Sequence, residues 1–214
     1  MILRQARHTL QKGGLVVIPT RHLYGLAVDA LNPEAVHRVF DIKQRPRHQP
    51  LLILIPSRAA VDIYAQDVDE RARMLMKAFW PGKLTIILKA RSLLPPLVTG
   101  GTGRIGLRLP EHAVCRELVV LLGRPITATS ANLSGQPGCH QVEDLPPAIL
   151  SAADLVLNAG ALKPGLGSTV VDVQPRAVQV LREGAVPLAA IREAVPCPVV
   201  AMGAPRRDKH SLLP

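Results

Sequence analysis

Aromatic residues and cysteines are both scarce in this chain. Its 214 residues include two Tyr, two Phe and one Trp, too few for the row of stacked side chains that single-strand binders place under successive bases. The three cysteines, Cys115, Cys139 and Cys197, lie far apart and form no C-x-x-C pair. Neither a disulfide framework nor a zinc site is therefore indicated. Reduced cysteines are typical of the cytoplasm, so we expect a cytoplasmic protein.

Several functional groupings are also missing. No Ser, His and Asp residues are grouped as nucleophilic catalysis requires, and none of the seven histidines stands at metal-ligand spacing from another. No apolar run approaches the ~20 residues that a membrane helix needs. The first ten residues (MILRQARHTL) contain no apolar segment of the kind found in signal peptides. We expect no covalent catalysis, no resident metal and no membrane association.

Negative charge is limited, whereas positive charge is abundant. Lys and Arg number 26 against 16 Asp and Glu, which gives a net charge of +10 and a pI near 10.3. This balance indicates a polyanionic partner such as a nucleotide or RNA, although basic charge could also serve only to keep the chain soluble. Because aromatic residues are so few, an RNA partner would be recognised by its folded shape and its phosphates.

Short apolar runs alternate with amphipathic segments through most of the chain. The runs predict strands at 15–18, 51–55, 84–88, 105–109, 126–129, 155–157 and 169–173. Helices are predicted after the cap Asn32-Pro33, at 69–80 and at 111–122. This alternation favours an α/β fold with a largely buried sheet. The periodicity fades near the end, so we predict one domain, residues 1–190, and a C-terminal tail, residues 191–214, which could be mobile.

The first segment that indicates chemistry is 43–46 (KQRP). Lys43 and Arg45, with Arg47 and His48 beside them, crowd positive charge around one proline, and a bound polyphosphate would relieve their repulsion. A lysine in the last turn of a helix is also stabilised by the helix dipole without any ligand. The segment therefore indicates either a helix end or one side of a nucleotide site.

The second such segment, 129–135 (TSANLSG), follows the predicted strand 126–129. In an extended backbone Ser130 and Asn132 point to the same side, which would place two polar groups on one face. The alternative is a Ser- and Asn-rich turn that only closes the strand. Neither segment is a Walker-type glycine loop. We expect the two segments to converge around a single triphosphate, with Arg45 and Asn132 at the surface of a cleft.

The stretch 101–106 (GTGRIG) fits the dinucleotide-binding expression G-x-G-x-x-G. That motif requires a strand before it and a helix after it. Here a predicted strand follows the glycines, so we expect a glycine-rich loop rather than a Rossmann site. Arg108 lies on the opposite strand face from Leu107 and Leu109, and it could be a solvated charge or the anchor for a carboxylate.

Seven motifs follow one another in the order of the YrdC/Sua5 family, the threonylcarbamoyl-AMP synthases, and the chain resembles the short TsaC-like form of that family. The resemblance extends from Gly14 to about Ala185. The motifs are Pro19-Thr20 with Tyr24-Gly25-Leu26 and Asp29-Ala30; Lys43-Gln44-Arg45-Pro46; Trp80-Pro81-Gly82 with Leu84-Thr85; Arg108-Leu109-Pro110; Ser130-Ala131-Asn132-Leu133-Ser134-Gly135; Gly167-Ser168-Thr169-Val170-Val171-Asp172; and Leu181-Arg182-Glu183-Gly184.

This resemblance implies a twisted mixed sheet flanked by helices, with a basic concave surface. It also implies a reaction in which L-threonine and bicarbonate or CO2 form a carbamate that attacks the α-phosphate of ATP and releases pyrophosphate. The product would pass to proteins that transfer the threonylcarbamoyl group to tRNA, and Mg²⁺ would arrive with ATP. Catalysis would rest on positioning and charge stabilisation. By matching position, the ATP-binding residues would be Lys43, Arg45, Asn132 and Arg182, and the threonine-binding residues would be Arg108, Ser130 and Ser168.

The chain departs from the family pattern in a few places. Arg21 and His22 follow Pro-Thr, where the family often has an acidic residue and then Thr or a small residue. Leu54 stands where long members have a His, and the hydroxyl often found after the S-x-N turn is replaced near His140. Two alternatives to a synthase stay open. One is a non-catalytic module on the same fold that binds structured RNA or the ribosome, and the other is a carbamoyl-handling domain split from a larger maturation enzyme.

Overall fold

Helices and strands alternate along most of the chain in the computed structural model, which describes residues 1–201. In this part the helices are α1 (Ile2–Gln11), α2 (Pro33–Lys43), α3 (Val61–Tyr64), α4 (Glu70–Phe79), α5 (Ala113–Leu122), α6 (Pro147–Ala152) and α7 (Leu188–Ala194). The strands are β1 (Val16–Pro19), β2 (Tyr24–Ala27), β3 (Leu52–Leu54), β4 (Ala65–Gln66), β5 (Leu84–Ala90), β6 (Arg104–Arg108), β7 (Ile126–Ser130), β8 (Leu155–Val156), β9 (Thr169–Val173), β10 (Val178–Arg182) and β11 (Val199–Ala201). Every strand and helix predicted from the sequence is present, with bounds that differ by at most two residues.

The strands form one mixed sheet in the order β11-β10-β9-β5-β6-β3-β7-β2-β1-β8, and β4 pairs with the far end of β5. Neighbours are parallel in the pairs β10/β11, β5/β9, β3/β6 and β1/β8, and antiparallel in the others. Because β3 lies between β6 and β7, segments distant in the chain end side by side. The predicted α/β fold, with a mixed sheet flanked by helices, is confirmed.

Side chains alternate along the strands, so the sheet has two different faces. On one face, residues such as Leu84, Ile86 and Ile105 pack with α2, α3, α4, α6 and α7 in the main hydrophobic core. On the other face, α1 and α5 cover the end of the sheet around β1 and β7, with Leu10 and Leu118 in contact with the strands. The remainder of that second face lines an open cleft.

The predicted domain boundary at residue 190 falls inside α7. Ile191 of this helix is fully buried in the main core. Beyond it, β11 pairs in parallel with β10 and extends the sheet. The folded domain therefore continues at least to Ala201, because α7 and β11 bury apolar side chains that the sequence pattern did not reveal. The rest of the predicted tail, residues 202–214, lies outside the described residues.

The glycine-rich stretch 101–106 is a loop that leads into a strand, as predicted. Gly101 and Gly103 have φ values of 76° and 67°, a left-handed conformation that glycine adopts readily. Strand β6 begins directly afterwards at Arg104. The stretch therefore lacks the helix that a dinucleotide-binding motif requires.

A buried lysine joins the end of α2 to the turn that follows β7. Lys43, the last residue of α2, has only 1% of its surface exposed. Its Nζ donates hydrogen bonds to the carbonyl oxygens of Ser130 and Asn132, both at 2.5 Å, and to Oδ1 of Asn132 at 3.0 Å. The backbone N–H of Ser134 donates in return to the Lys43 carbonyl at 2.9 Å. Each ammonium hydrogen has an acceptor, so Lys43 fixes the turn against the helix.

Replacing this lysine with an apolar residue of similar length should destabilise the fold. Lys43→Met removes the buried donor that the carbonyls of Ser130 and Asn132 and the amide oxygen of Asn132 share, which costs roughly 2–4 kcal/mol of unfolding free energy. Chemical denaturation should show that loss for Lys43→Met. The control Lys77→Met, at an exposed position of α4, should change stability by no more than about 0.5 kcal/mol. Equal stability of the two variants would mean that Nζ does not hold the turn.

The same lysine should give the protein a specific dependence of stability on pH. Burial, reinforced by the positive charge of Arg45, lowers the pKa of Lys43 from 10.5 to about 8. Between these two pH values the folded state holds fewer protons than the unfolded state, so the contribution of Lys43 to stability rises with pH. The difference in unfolding free energy between wild type and Lys43→Met should therefore grow in favour of wild type from about pH 8 to pH 10. A difference that stays constant or shrinks over this interval would contradict the assignment.

Candidate active site

The uncovered part of the sheet forms the floor of a cleft of about 500 Å³. Small-molecule sites are typically of this size. Gly106 keeps the floor low, because a Cβ at that position would lie 3.2 Å from Thr85 Cγ2 and 3.4 Å from Leu52 Cβ. The floor is made of alternate residues from five strands, namely Leu52, Leu54, Thr85, Ile87, Gly106, Arg108, Ala128, Ser130 and Val170.

Three predicted arginines line this cleft and come from separate parts of the chain. Arg45 follows α2, Arg108 ends β6 and Arg182 ends β10. Arg45 is held by its own loop, because Nε donates to the Gln49 carbonyl at 3.3 Å and a terminal nitrogen donates to the Pro50 carbonyl at 2.9 Å. Within residues 1–201 the Arg108 guanidinium forms no ion pair or hydrogen bond, although it lies on the cleft floor.

Burial destabilises the charged form of these guanidinium groups. It lowers the pKa of Arg45, Arg108 and Arg182 below the usual value. For Arg108, the positive charges of Arg182 and Arg21 lower the pKa further. An anion placed between such groups restores the favourable interactions that burial removes. The cleft therefore favours a ligand that carries more than one negative charge.

Ser168 is fixed at the cleft wall between two other lining residues. Its Oγ lies 2.9 Å from Oγ1 of Thr85. Arg182 donates from Nε and a terminal nitrogen to the Ser168 carbonyl, at 3.2 and 2.8 Å, and reaches Oγ at 3.3 Å. The parallel pairing of β9 with β5 brings these residues together. A hydroxyl and a guanidinium thus lie side by side at the cleft wall.

Lys43, Ser130 and Asn132 meet as predicted, but only Ser130 lines the cleft. Ser130 Oγ donates to Asn132 Oδ1 at 2.5 Å, and Asn132 Nδ2 donates to the Gln136 carbonyl. Asn132 is only 6% exposed, which corrects the expectation that it lies at the cleft surface. The chain turns directly after β7, where the Asn132 N–H donates to the Ser130 carbonyl at 3.0 Å. The alternation of side chains between the two faces of β7 therefore ends at Ser130. Lys43 and Asn132 lie on the side of Ser130 away from the cleft and hold this residue in place.

The positively charged residues around Pro46 lie in different environments. Lys43 is buried in the turn, whereas Arg45 faces the cleft. Arg47 instead donates to Asp41 at 3.1 Å and to Nδ1 of His37 at 3.0 Å on another surface. The repulsion expected from the sequence is thus reduced by separation and by an acidic neighbour.

Arg21 and His22, which depart from the family pattern, both line the cleft. The Arg21 Nε atom lies 3.4 Å from Oε2 of Glu111. His22 Nδ1 lies 2.7 Å from the Lys163 carbonyl, and because a carbonyl only accepts, Nδ1 carries the proton. The imidazole also packs against Gly165, where a Cβ would lie 2.3 Å from the ring. His22 therefore holds the segment before β9 against the cleft.

Sequence reasoning missed other polar groups of the cleft. Thr85 had a visible signal, since a hydroxyl between Leu84 and Ile86 interrupts an otherwise apolar strand. Glu111 and His112 had none, because they enter the cleft only through the pairing that places β6 between β3 and β5. These residues belong to the segment between β6 and α5, which the sequence predicted as the start of a helix.

Metal-binding clusters and long apolar helices are not found among the described residues. In residues 1–201, no three His, Cys, Asp or Glu side chains come close enough together to hold a metal ion. No helix in the same range has both the length and the apolar character needed to cross a membrane. The charged groups of the cleft are arginine and lysine side chains and the carboxylate of Glu111.

Comparisons with known proteins agree on the family. The Sua5/YciO/YrdC family model, described as telomere recombination, matches residues 8–184. The threonylcarbamoyl-AMP synthase of Pyrococcus abyssi is 35% identical over 193 residues, which are 90% of this chain and 57% of that protein. The threonylcarbamoyl-AMP synthase of Vibrio cholerae is 32% identical over 184 residues, which are 85% of this chain and 97% of that protein.

A solved structure has the same fold. Pyrococcus abyssi Sua5 in complex with L-threonine superimposes with a TM-score of 0.84 at 34% identity, over 92% of this chain and 58% of that one. The chain thus spans a little over half the length of the Pyrococcus abyssi protein. The residues matched by the family model include all those that line the cleft, and these comparisons confirm the resemblance indicated by the sequence motifs. The chain belongs to the Sua5/YciO/YrdC family.

Proposed function

We propose that the chain is a threonylcarbamoyl-AMP synthase, which forms threonylcarbamoyl-AMP and pyrophosphate from L-threonine, bicarbonate or CO2, and ATP. The observation that carries this proposal is the convergence of Arg45, Arg108 and Arg182 on one cleft beside Ser130 and Ser168. Such a reaction needs a single site that holds a polyanion and an amino acid together. The Pyrococcus abyssi and Vibrio cholerae relatives are named for this activity.

ATP would place its triphosphate near Arg45 and Arg182, because forked guanidinium donors suit phosphate oxygens. Lys43 and Asn132 would contribute to ATP binding indirectly, by holding in place the turn that follows Ser130. The buried ammonium would also add positive potential on the phosphate side of the cleft. Mg²⁺ would arrive bound to the triphosphate and neutralise part of its charge.

L-Threonine would bind through its carboxylate to Arg108. This guanidinium lies on the cleft floor with no partner in residues 1–201, so an anionic ligand would complete its interactions. Ser130 and Ser168 offer hydroxyl groups at the cleft wall for the polar atoms of the amino acid. Ser168 is preoriented for this role by Thr85 and Arg182.

The chemistry would depend on alignment and charge. The amine of threonine would combine with CO2 to give a carbamate, and a carbamate oxygen would attack the α-phosphate while pyrophosphate leaves. The arginines would stabilise the charge on the phosphates, and the cleft would hold the attacking oxygen in line. The product would pass to cytoplasmic proteins that transfer the threonylcarbamoyl group to tRNA.

Pyrophosphate release from ATP should require both L-threonine and bicarbonate. We expect an assay of purified protein to show turnover only when all three substrates are present, since the carbamate is the attacking group. Omission of either threonine or bicarbonate should abolish the signal. Arg108→Ala should lower kcat/KM for L-threonine by roughly 30- to 100-fold, the usual effect of removing a charge-assisted contact.

The matched control for that variant is Arg47→Ala, whose guanidinium contacts Asp41 outside the cleft. It should keep activity close to wild type. Release of pyrophosphate that is independent of threonine, or an equal loss in Arg47→Ala and Arg108→Ala, would contradict the proposed site.

A second candidate function, contact with structured RNA, is favoured by the surface of α1. Arg4, Arg7 and His8 of α1 and Lys12, which directly follows the helix, are all exposed, while Leu10 and its neighbours pack against α5 and the sheet. Within residues 1–201 none of these basic groups forms an ion pair, and the first acidic residue of the chain is Asp29. Ala6 and Leu10 of α1 are buried, and positive charge dominates the exposed side, which suits RNA phosphates.

Neutralising this helix face should reduce the salt dependence of tRNA binding. The triple variant Arg4→Gln, Arg7→Gln and Lys12→Gln should lower the slope of log K against log salt by roughly 2–3, about 0.9 for each lost phosphate contact. The control Lys77→Gln, Arg176→Gln and Arg192→Gln removes the same charge from exposed positions elsewhere. Equal effects of the two triple variants would show that only net charge matters.

A further inference from the structure

The charged side chains of the cleft are strongly unbalanced. Among the described residues that line it are four arginines and one lysine, Arg21, Arg45, Lys83, Arg108 and Arg182, and a single carboxylate, Glu111. An amino acid brings both a carboxylate and an ammonium group to its site. The cations offer many partners to the carboxylate, whereas Glu111 is the one oppositely charged partner that these residues offer to the ammonium.

Glu111 lies close in sequence to Arg108, the residue that would bind the carboxylate of the amino acid. It follows Arg108 by three residues, and the intervening Leu109 and Pro110 are both buried. The Leu109 carbonyl also accepts a hydrogen bond from Gly82 N–H at 2.9 Å, which fixes the path of this segment. Arg108 and Glu111 therefore present opposite charges from one short, well-held segment of the cleft wall.

The position of Gly82 leaves room for the Glu111 side chain. A Cβ at residue 82 would lie 3.1 Å from Oε2 of Glu111, and Gly82 has a φ of 135°, which residues with a side chain rarely adopt. The glycine thus allows the carboxylate to lie against the backbone at the cleft edge. Glu111 is consequently directed by packing as well as by charge.

Glu111 forms an ion pair with Arg21 at the edge of the cleft. The Arg21 Nε atom lies 3.4 Å from Oε2, and the two side chains are 34% and 44% exposed. Ion pairs at this exposure contribute little to stability, so the contact can be exchanged at small cost. An incoming ammonium group could take the place of the Arg21 guanidinium at this carboxylate.

We infer that Glu111 binds the α-ammonium group of the amino-acid substrate and that Arg21 is its exchangeable counter-ion in the free protein. This inference rests on the proposed function and names the residue that orients the reacting nitrogen. Arg108 then holds the carboxylate end and Glu111 the nitrogen end, so the amino acid is fixed in one direction within the cleft. Displaced from Glu111, Arg21 is free to face the anionic groups of the other substrates.

The test compares a substrate with an analogue that lacks only the ammonium charge. Calorimetry would measure the binding of L-threonine and of 2,3-dihydroxybutanoate, in which a hydroxyl replaces the amino group, to wild type and to Glu111→Gln. Wild type should prefer threonine by about tenfold or more, the worth of a charge-assisted hydrogen bond. Glu111→Gln should bind threonine about tenfold more weakly and lose most of this preference. Its affinity for ATP should not fall, because the substitution only removes negative charge from the cleft, and its melting temperature should stay unchanged.

Retention of the full preference for threonine in Glu111→Gln would overturn the inference while leaving the proposed function intact. Failure of wild type to bind threonine at all would instead overturn the proposed function and the inference with it.

A second variant tests the role of Arg21 as the counter-ion of Glu111. Arg21→Gln frees Glu111 from its competitor, so threonine affinity should stay the same or rise by a few fold, and a tenfold fall would contradict the exchange.

Discussion

One buried ammonium group connects the two segments on which the site depends. Lys43 closes α2, and its Nζ is bound by the turn that follows β7. Helix α2 belongs to the main core, and β7 lies within the sheet beside β3. Arg45 comes two residues after Lys43, and Ser130 is the last residue of β7. The same contact therefore sets the position of a cation and of a hydroxyl on one side of the cleft.

The cleft exists because helices cover the sheet unequally. Of the helices in residues 1–201, five pack on one face, whereas α1 and α5 cover one end of the other face. The ends of α2, β6 and β10 bring arginines from distant parts of the chain to the open area, where burial lowers the pKa of Arg45, Arg108 and Arg182. Anionic substrates would relieve this cost, so binding energy and alignment can drive the chemistry without a covalent protein group.

Local patterns predicted the elements wherever one signal dominated, as in the apolar strands and the capped start of α2. They failed for α1, because its charged residues obscured the helical spacing of Leu3, Ala6 and Leu10. Family motifs predicted the cleft arginines, but the burial of Asn132 depends on a turn that alternation does not describe. Glu111 could not be predicted, because its place in the cleft follows from long-range strand pairing.

The central claim is that Lys43 supports the site from behind while the arginines contact the substrates. A crystal structure with L-threonine and an ATP analogue that resists cleavage at the α-phosphate tests it most directly. The account predicts a triphosphate against Arg45 and Arg182, the threonine carboxylate at Arg108, and Lys43 Nζ still bound to Ser130 and Asn132. A Lys43 side chain that leaves the turn for the phosphates, or a nucleotide bound outside the cleft, would contradict it.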